Sequence, residues 1–156
     1  MEKRYAGIGS RKTPPAIQDE MSQIARYLYR HDYTLVTGGA VGADQAFMRT
    51  AIRKVVFRPE HANDWSRIVV KKYLNDNARL DKISQYTYNL ISRNVQIILG
   101  EWGEVPVDFV ICWTPNAEIV GGTAYGIRCA LDHKIPVYNL CDQQDRSSLK
   151  VFLETI

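Results

Sequence analysis

Val36-Thr37-Gly38-Gly39-Ala40-Val41-Gly42-Ala43-Asp44 joins a short apolar run, Tyr33 to Val36, to the start of a helical pattern, with three glycines inside five residues at the junction. Glycine there permits a tight turn and a close approach of a ligand to the main chain. The first-turn N–H groups of the following helix, with the positive end of its dipole, then point at that ligand, an arrangement suited to phosphate. Two more junctions share this character: Gly7-Ile8-Gly9-Ser10-Arg11, and Val120-Gly121-Gly122-Thr123-Ala124, which follows the apolar run Val107 to Trp113 after a loop. In a doubly wound parallel sheet such strand-to-helix loops gather at the carboxyl edge of the strands, where ligands bind.

The rest of the chain supports that sheet. Tyr5 to Ile8 reads as a strand. Thr13-Pro14-Pro15 opens a helix, with Thr13 as N-cap and proline in the first turn, and Ile17, Met21, Ile24, Ala25 and Leu28 form its apolar stripe. A second helix is expected from Ala43 to Arg53, a short strand at Val55 to Phe57, and helices at Ser66 to Leu74 and Leu80 to Leu99. A strand at Val107 to Trp113, a helix at Thr123 to Asp132, a strand at Ile135 to Leu140 and a helix at Gln143 to Glu154 follow. Strand and helix alternate throughout. The expected fold is α/β, a Rossmann-like three-layer sandwich with a mostly parallel sheet of about five strands, as one domain over residues 1–156.

Composition narrows the function. The 156 residues are 46% hydrophobic and 24% charged, an ordinary globular balance. No apolar stretch approaches the ~20 residues that span a bilayer, so no membrane partner is expected. The start, Met1-Glu2-Lys3-Arg4-Tyr5, runs straight into a strand, and Cys112, Cys129 and Cys141 lack C-x-x-C spacing, which together read as a cytoplasmic protein with reduced thiols. His31, His61 and His133 are scattered, so neither a metal nor another cofactor is expected. A net charge of +3 is weak for nucleic acid. Arg49, Arg53, Lys54, Arg58, Arg67, Lys71 and Lys72 read as solvated helix faces.

The candidate ligand-binding residues are Gly9, Ser10 and Arg11 on the first loop, Gly38, Gly39, Gly42 and Asp44 on the second, Gly121, Gly122 and Thr123 on the third, and Arg93. The threonine hydroxyl can donate to a phosphate oxygen. Asp44 suits either a ribose hydroxyl or the cap of its own helix. Arg93, placed near a helix end, suits either the dipole or the pocket. Trp113 and Tyr125 flank the third loop, where a base can stack. Glu118 is the one carboxylate beside the Gly-Gly-Thr loop and the sole candidate for catalysis.

Gly9-Ser10-Arg11, an amphipathic helix, a strand and then Gly38-Gly39-Ala40-Val41-Gly42-Ala43-Asp44 resemble the DprA/Smf DNA-processing family, which carries G-S-R and G-G-A-x-G-[hydrophobic]-D at similar spacing. Arg93-Asn94 is similar to the start of that family's R-N-R segment, and Val107 to Thr114, Gly121-Gly122-Thr123 and Ile135-Pro136-Val137 follow in order. The resemblance covers roughly residues 4–140 and extends to the SLOG superfamily, which joins DprA/Smf with the LOG cytokinin-activating phosphoribohydrolases. It implies a nucleotide or nucleotide-derived ligand, single-stranded DNA as an alternative partner, and a homo-oligomer paired through helices. DprA proteins carry flanking domains, whereas this sequence reads as the core alone.

LOG enzymes carry P-G-G-x-G-T-x-x-E, whose glutamate works on an N-glycosidic bond. Aligning on the glycine pair puts Arg128 at the glutamate position, aligning on the threonine puts Gly126 there, and Val120 replaces the proline. Loss of a positioned acid typically costs about 10²–10⁴-fold in rate. The expected function is therefore binding without a dedicated catalytic acid. The alternatives are LOG-like hydrolysis with a relocated acid and DprA-like binding of single-stranded DNA.

Overall fold

Large apolar side chains alternate between the two faces of each central strand, which is why helices cover both. In the computed structural model, which describes residues 2–74 and 82–156, Tyr5, Leu35, Phe109 and Ile111 enter one core cluster and Ala6, Val36, Val110 and Cys112 the other. A parallel sheet buried on both faces has this pattern. The strands are β1 (Lys3–Gly7), β2 (Tyr33–Thr37), β3 (Lys54–Val56), β4 (Phe109–Cys112) and β5 (Val137–Asn139). All pair in parallel, in the order β3-β2-β1-β4-β5.

Helices α1 (Pro15–Arg30), α2 (Ala43–Met48) and α6 (Gln143–Glu154) cover one face, through Met21, Ala25, Leu28, Phe47 and Leu149. Helices α3 (Asp64–Val69), α4 (Gln85–Leu99) and α5 (Thr123–Asp132) lie on the other, where Val95, Ile98, Ile127 and Ala130 are buried. The fold is a Rossmann-like three-layer α/β sandwich with five parallel strands. Because α1 leaves β1 toward one face and α5 leaves β4 toward the other, a crevice opens at the carboxyl ends of these neighbouring strands.

Several boundaries differ from the sequence expectation for identifiable reasons. Thr13 does not cap α1. The helix begins after Pro14, and the Thr13 hydroxyl instead donates to the Ser10 carbonyl at 2.6 Å, pinning the first loop. Pro15 has no N–H for a cap to serve. Helix α2 stops at Met48 instead of Arg53, since the Arg53 carbonyl must accept from Leu35 N–H (3.0 Å) as the chain enters β3. Helix α3 starts earlier, at an Asn63 cap accepting from Ser66 N–H at 2.8 Å, and tightens into a 3₁₀ turn over Val70–Tyr73. Helix α4 begins at Gln85 behind a Ser84 cap. Leu80 and Asp81, expected at its start, lie outside the described residues.

Gly42 and Gly122 separate two uses of glycine. A Cβ on Gly42, at φ +93°, would lie 2.6 Å from the Ser10 carbonyl oxygen and 2.8 Å from Arg11 Cα, so the second loop seats on the first only without a side chain. A Cβ on Gly122 would meet nothing within 4 Å. We expect Gly42→Ala to lower unfolding free energy by about 2 kcal/mol or more. Gly122→Ala should stay within about 0.5 kcal/mol of the parent. Denaturant titration measures both, and equal effects would contradict the assignment.

Candidate functional site

Each of the three glycine loops contributes to one cavity of about 800 Å³ at the β1–β4 crevice. Its walls include Gly9, Ser10 and Arg11 from the first loop, Ala40 and Asp44 from the second, and Gly121, Gly122 and Thr123 from the third. Helix α4 supplies a stripe, Thr87, Leu90, Ile91 and Asn94, at helical spacing, together with Arg93. Gly38, Gly39 and Gly42 do not line the cavity. They shape the loop behind it.

Arg93 organises these parts. It lies in the middle of α4, not near a helix end, so the dipole has no part in its placement. The side chain is 7% exposed. Its Nη1 donates to the carbonyls of Gly38 and Phe57, both at 2.9 Å, and its Nε donates to Asn94 Oδ1 at 2.9 Å. Asn94 Nδ2 in turn donates to the Gly122 carbonyl at 2.8 Å. One guanidinium thereby ties the loops after β2, β3 and β4 together. Gly38 is glycine because a Cβ there would sit 2.7 Å from the guanidinium carbon and 3.0 Å from Asp44 Oδ2.

Asp44 does not cap α2. Its Oδ2 accepts from the N–H groups of Gly38 (3.0 Å) and Ala40 (3.4 Å), bracing the turn ahead of its own helix. Burial pushes the carboxyl up to about 6, against the opposing pull of Arg93 and of the Ala40 and Gly38 amides. Burial likewise lowers the Arg93 pKa, while Asp44 raises it.

The cavity wall is cationic. Arg11, Lys12, Arg93 and Arg128 line it, with Asp44 the one carboxylate among the described lining residues. Arg128 donates to the Tyr73 carbonyl at 3.0 Å and lies 5.8 Å from the centre of the Tyr125 ring. Sequence reasoning passed over Arg128 and Lys12. Tyr125 and Arg128, three apart on α5, share a face with the loop mouth, and that spacing was the available signal. Trp113 packs against the α1-side core and is not in the lining, and Glu118 is exposed and outside it. Of the basic residues read from the sequence as solvated helix faces, Arg49 pairs with Asp19, Arg53 with Asp32, Arg67 with Asp64 and Lys72 with Asp132.

Among the described residues no cluster of three His, Cys, Asp or Glu side chains is placed to hold a metal ion, and no helix is long and apolar enough to cross a membrane.

No protein-family model matches the sequence, and no curated protein matches it. Among solved structures the chain is similar to DNA processing protein A from Helicobacter pylori, described for a unique single-stranded DNA binding mode. The two share 17% sequence identity at a TM-score of 0.62, over 99% of this chain and 80% of that one. At that identity the likeness establishes a DprA-like fold.

The raised Asp44 pKa gives a test of the cavity's charge. Sulfate keeps its charge across pH 5–8, and no histidine lines the cavity. As pH falls through about 6, Asp44 takes a proton and stops repelling the anion. Sulfate affinity should then rise roughly three- to tenfold between pH 7.5 and 5. Asp44→Asn should flatten that profile in calorimetry; the same rise in the variant would place the titrating group elsewhere.

Proposed function

We propose that this cavity binds a nucleotide or nucleotide-derived ligand through its phosphate, without a dedicated catalytic acid. The observation that carries the reading is the meeting of four cationic side chains with a glycine loop whose Cα atoms face open space, at the β1–β4 crevice. Phosphate belongs at Gly121-Gly122-Thr123, where Gly122 precedes α5 and no side chain caps the helix. The helix dipole favours negative charge there, and Arg11 and Arg128 add to it. Leu90, Ile119, Val120 and Tyr125 offer the apolar surface a base needs. Gly9, Ser10, Asp44 and Arg93 face the remainder of the ligand, while Gly38, Gly39 and Gly42 keep the second loop in shape. Arg128 and Gly126 at the positions of the LOG glutamate support binding over hydrolysis.

A second reading has one specific support. The Helicobacter pylori neighbour is described as binding single-stranded DNA, and Arg11 on the cavity wall is exposed. Strand binding through so few cations would be weak and would fall steeply with salt.

Gly122→Asp sets a carboxylate into open space at the phosphate position without a backbone clash. We expect it to weaken binding of adenosine 5′-monophosphate at least tenfold in calorimetry, with an unchanged circular dichroism spectrum. A folded variant with parental affinity would remove phosphate from this loop. For the second reading, fluorescence anisotropy with an oligothymidylate across a salt series decides. Tight binding at physiological salt, lost in Arg11→Ala/Arg128→Ala, would replace the nucleotide reading with the DNA one.

A further inference from the structure

We infer that Asp44 and Arg93 form a sugar subsite that takes the hydroxyls of a ribose, so that the cavity selects ribonucleotides over 2′-deoxyribonucleotides. The inference rests on the nucleotide reading and specifies its ligand class. Asp44 Oδ2 is saturated by two backbone N–H groups, but Oδ1 has no donor among the described residues. The Thr37 hydroxyl beside it, which favours the charged carboxylate, donates to the Gly7 carbonyl at 2.7 Å. Arg93 shows the complementary pattern. Nε and both protons of Nη1 are committed to Asn94, Gly38 and Phe57, whereas Nη2 has no acceptor among the described residues.

Neither open atom is sealed. Among the described residues, the fully buried side-chain nitrogens and oxygens lacking a partner are Tyr5 Oη and Gln96 Oε1. Asp44 Oδ1 and Arg93 Nη2 therefore keep solvent access, and both residues line the cavity. Each is held by its other atoms to backbone, and the two groups flank the same Gly38 Cα. The result is a fixed acceptor and a fixed donor on the same cavity wall.

The chemistry of that pair restricts its occupant. A carboxylate oxygen repels phosphate, so a neutral donor must face it. A guanine Watson–Crick edge presents two N–H donors and needs two free carboxylate oxygens, of which one is spent. A hydroxyl donates to Oδ1 and accepts from Nη2, and the adjacent 2′ and 3′ hydroxyls of ribose satisfy both groups together. An internal deoxynucleotide of a DNA strand has neither hydroxyl, its 3′ oxygen being esterified. Removing the 2′ hydroxyl leaves a charged group that the bound ligand has shut off from water unpaired, which a site built for that bond tolerates poorly.

Calorimetry at pH 7.5 with adenosine and cytidine 5′-monophosphates, their 2′-deoxy counterparts and inorganic pyrophosphate provides the test. The ribonucleotide should bind at least tenfold tighter than its 2′-deoxy form with either base. In Asp44→Asn, whose amide turns its N–H₂ away from the Gly38 and Ala40 donors and into the cavity, that ratio should collapse toward one. Equal affinity for ribo and deoxy forms overturns the sugar subsite and leaves the nucleotide reading standing. A preference that follows the base and ignores the sugar does the same, pointing to a base edge on Asp44. Absence of binding by all five compounds overturns the nucleotide reading and the subsite with it. The panel on the parent protein decides even where Asp44→Asn fails to fold.

Discussion

A buried arginine in the middle of a helix is the constraint on which the carboxyl edge depends. Stripping a guanidinium of water costs several kcal/mol unless its donors are met and a counter-charge is near. Arg93 meets this by gathering the Gly38 and Phe57 carbonyls and Asn94, with Asp44 supplying the opposite charge. Those bonds hold the loops after β2 and β3 against α4. Asn94 extends the same restraint to Gly122 and thus to the mouth of α5. The crevice that strand order creates in principle becomes a defined cavity because one charge has to be solvated by backbone.

The glycines follow from that packing. Gly38 makes room for Arg93 and Asp44, and Gly42 makes room for the backbone of the first loop. The Gly38 N–H is spent on Asp44. Gly121 and Gly122 are different, since nothing presses on them. A glycine motif that resembles a phosphate cradle thus divides into a scaffolding half on the second loop and an exposed half on the third. The positive charge of the cavity wall comes from side chains on the first loop, α4 and α5.

Much of the fold was legible because its determinants are local. Apolar runs such as Tyr33 to Val36 and stripes such as Met21, Ala25 and Leu28 declare strand and helix over a few residues. Three similar junctions then pointed to one sheet edge, where their loops line one cavity. What sequence could not supply were contacts across long separations. The Arg93 bond to Gly38 spans 55 positions and the Arg128 bond to Tyr73 likewise 55, so the partners that fix these two side chains have no local signature. Thr13 misled for a related reason: a residue with the chemistry of a cap found a carbonyl three positions back, next to two prolines that made capping unnecessary. Asp44 was singled out by its motif, but which of its oxygens is spent on the loop is visible only in three dimensions.

The claim that the β1–β4 cavity is the ligand site is tested most directly by a residue-resolved titration. Amide chemical shifts of the ¹⁵N-labelled protein, followed while adenosine 5′-monophosphate is added, report where the nucleotide sits. The account predicts saturable shifts concentrated at Gly9 to Lys12, Asp44, Asn94 and Gly121 to Tyr125. Saturable shifts centred instead on the groove between α1 and α6, around Tyr27, Leu149 and Leu153, would contradict it.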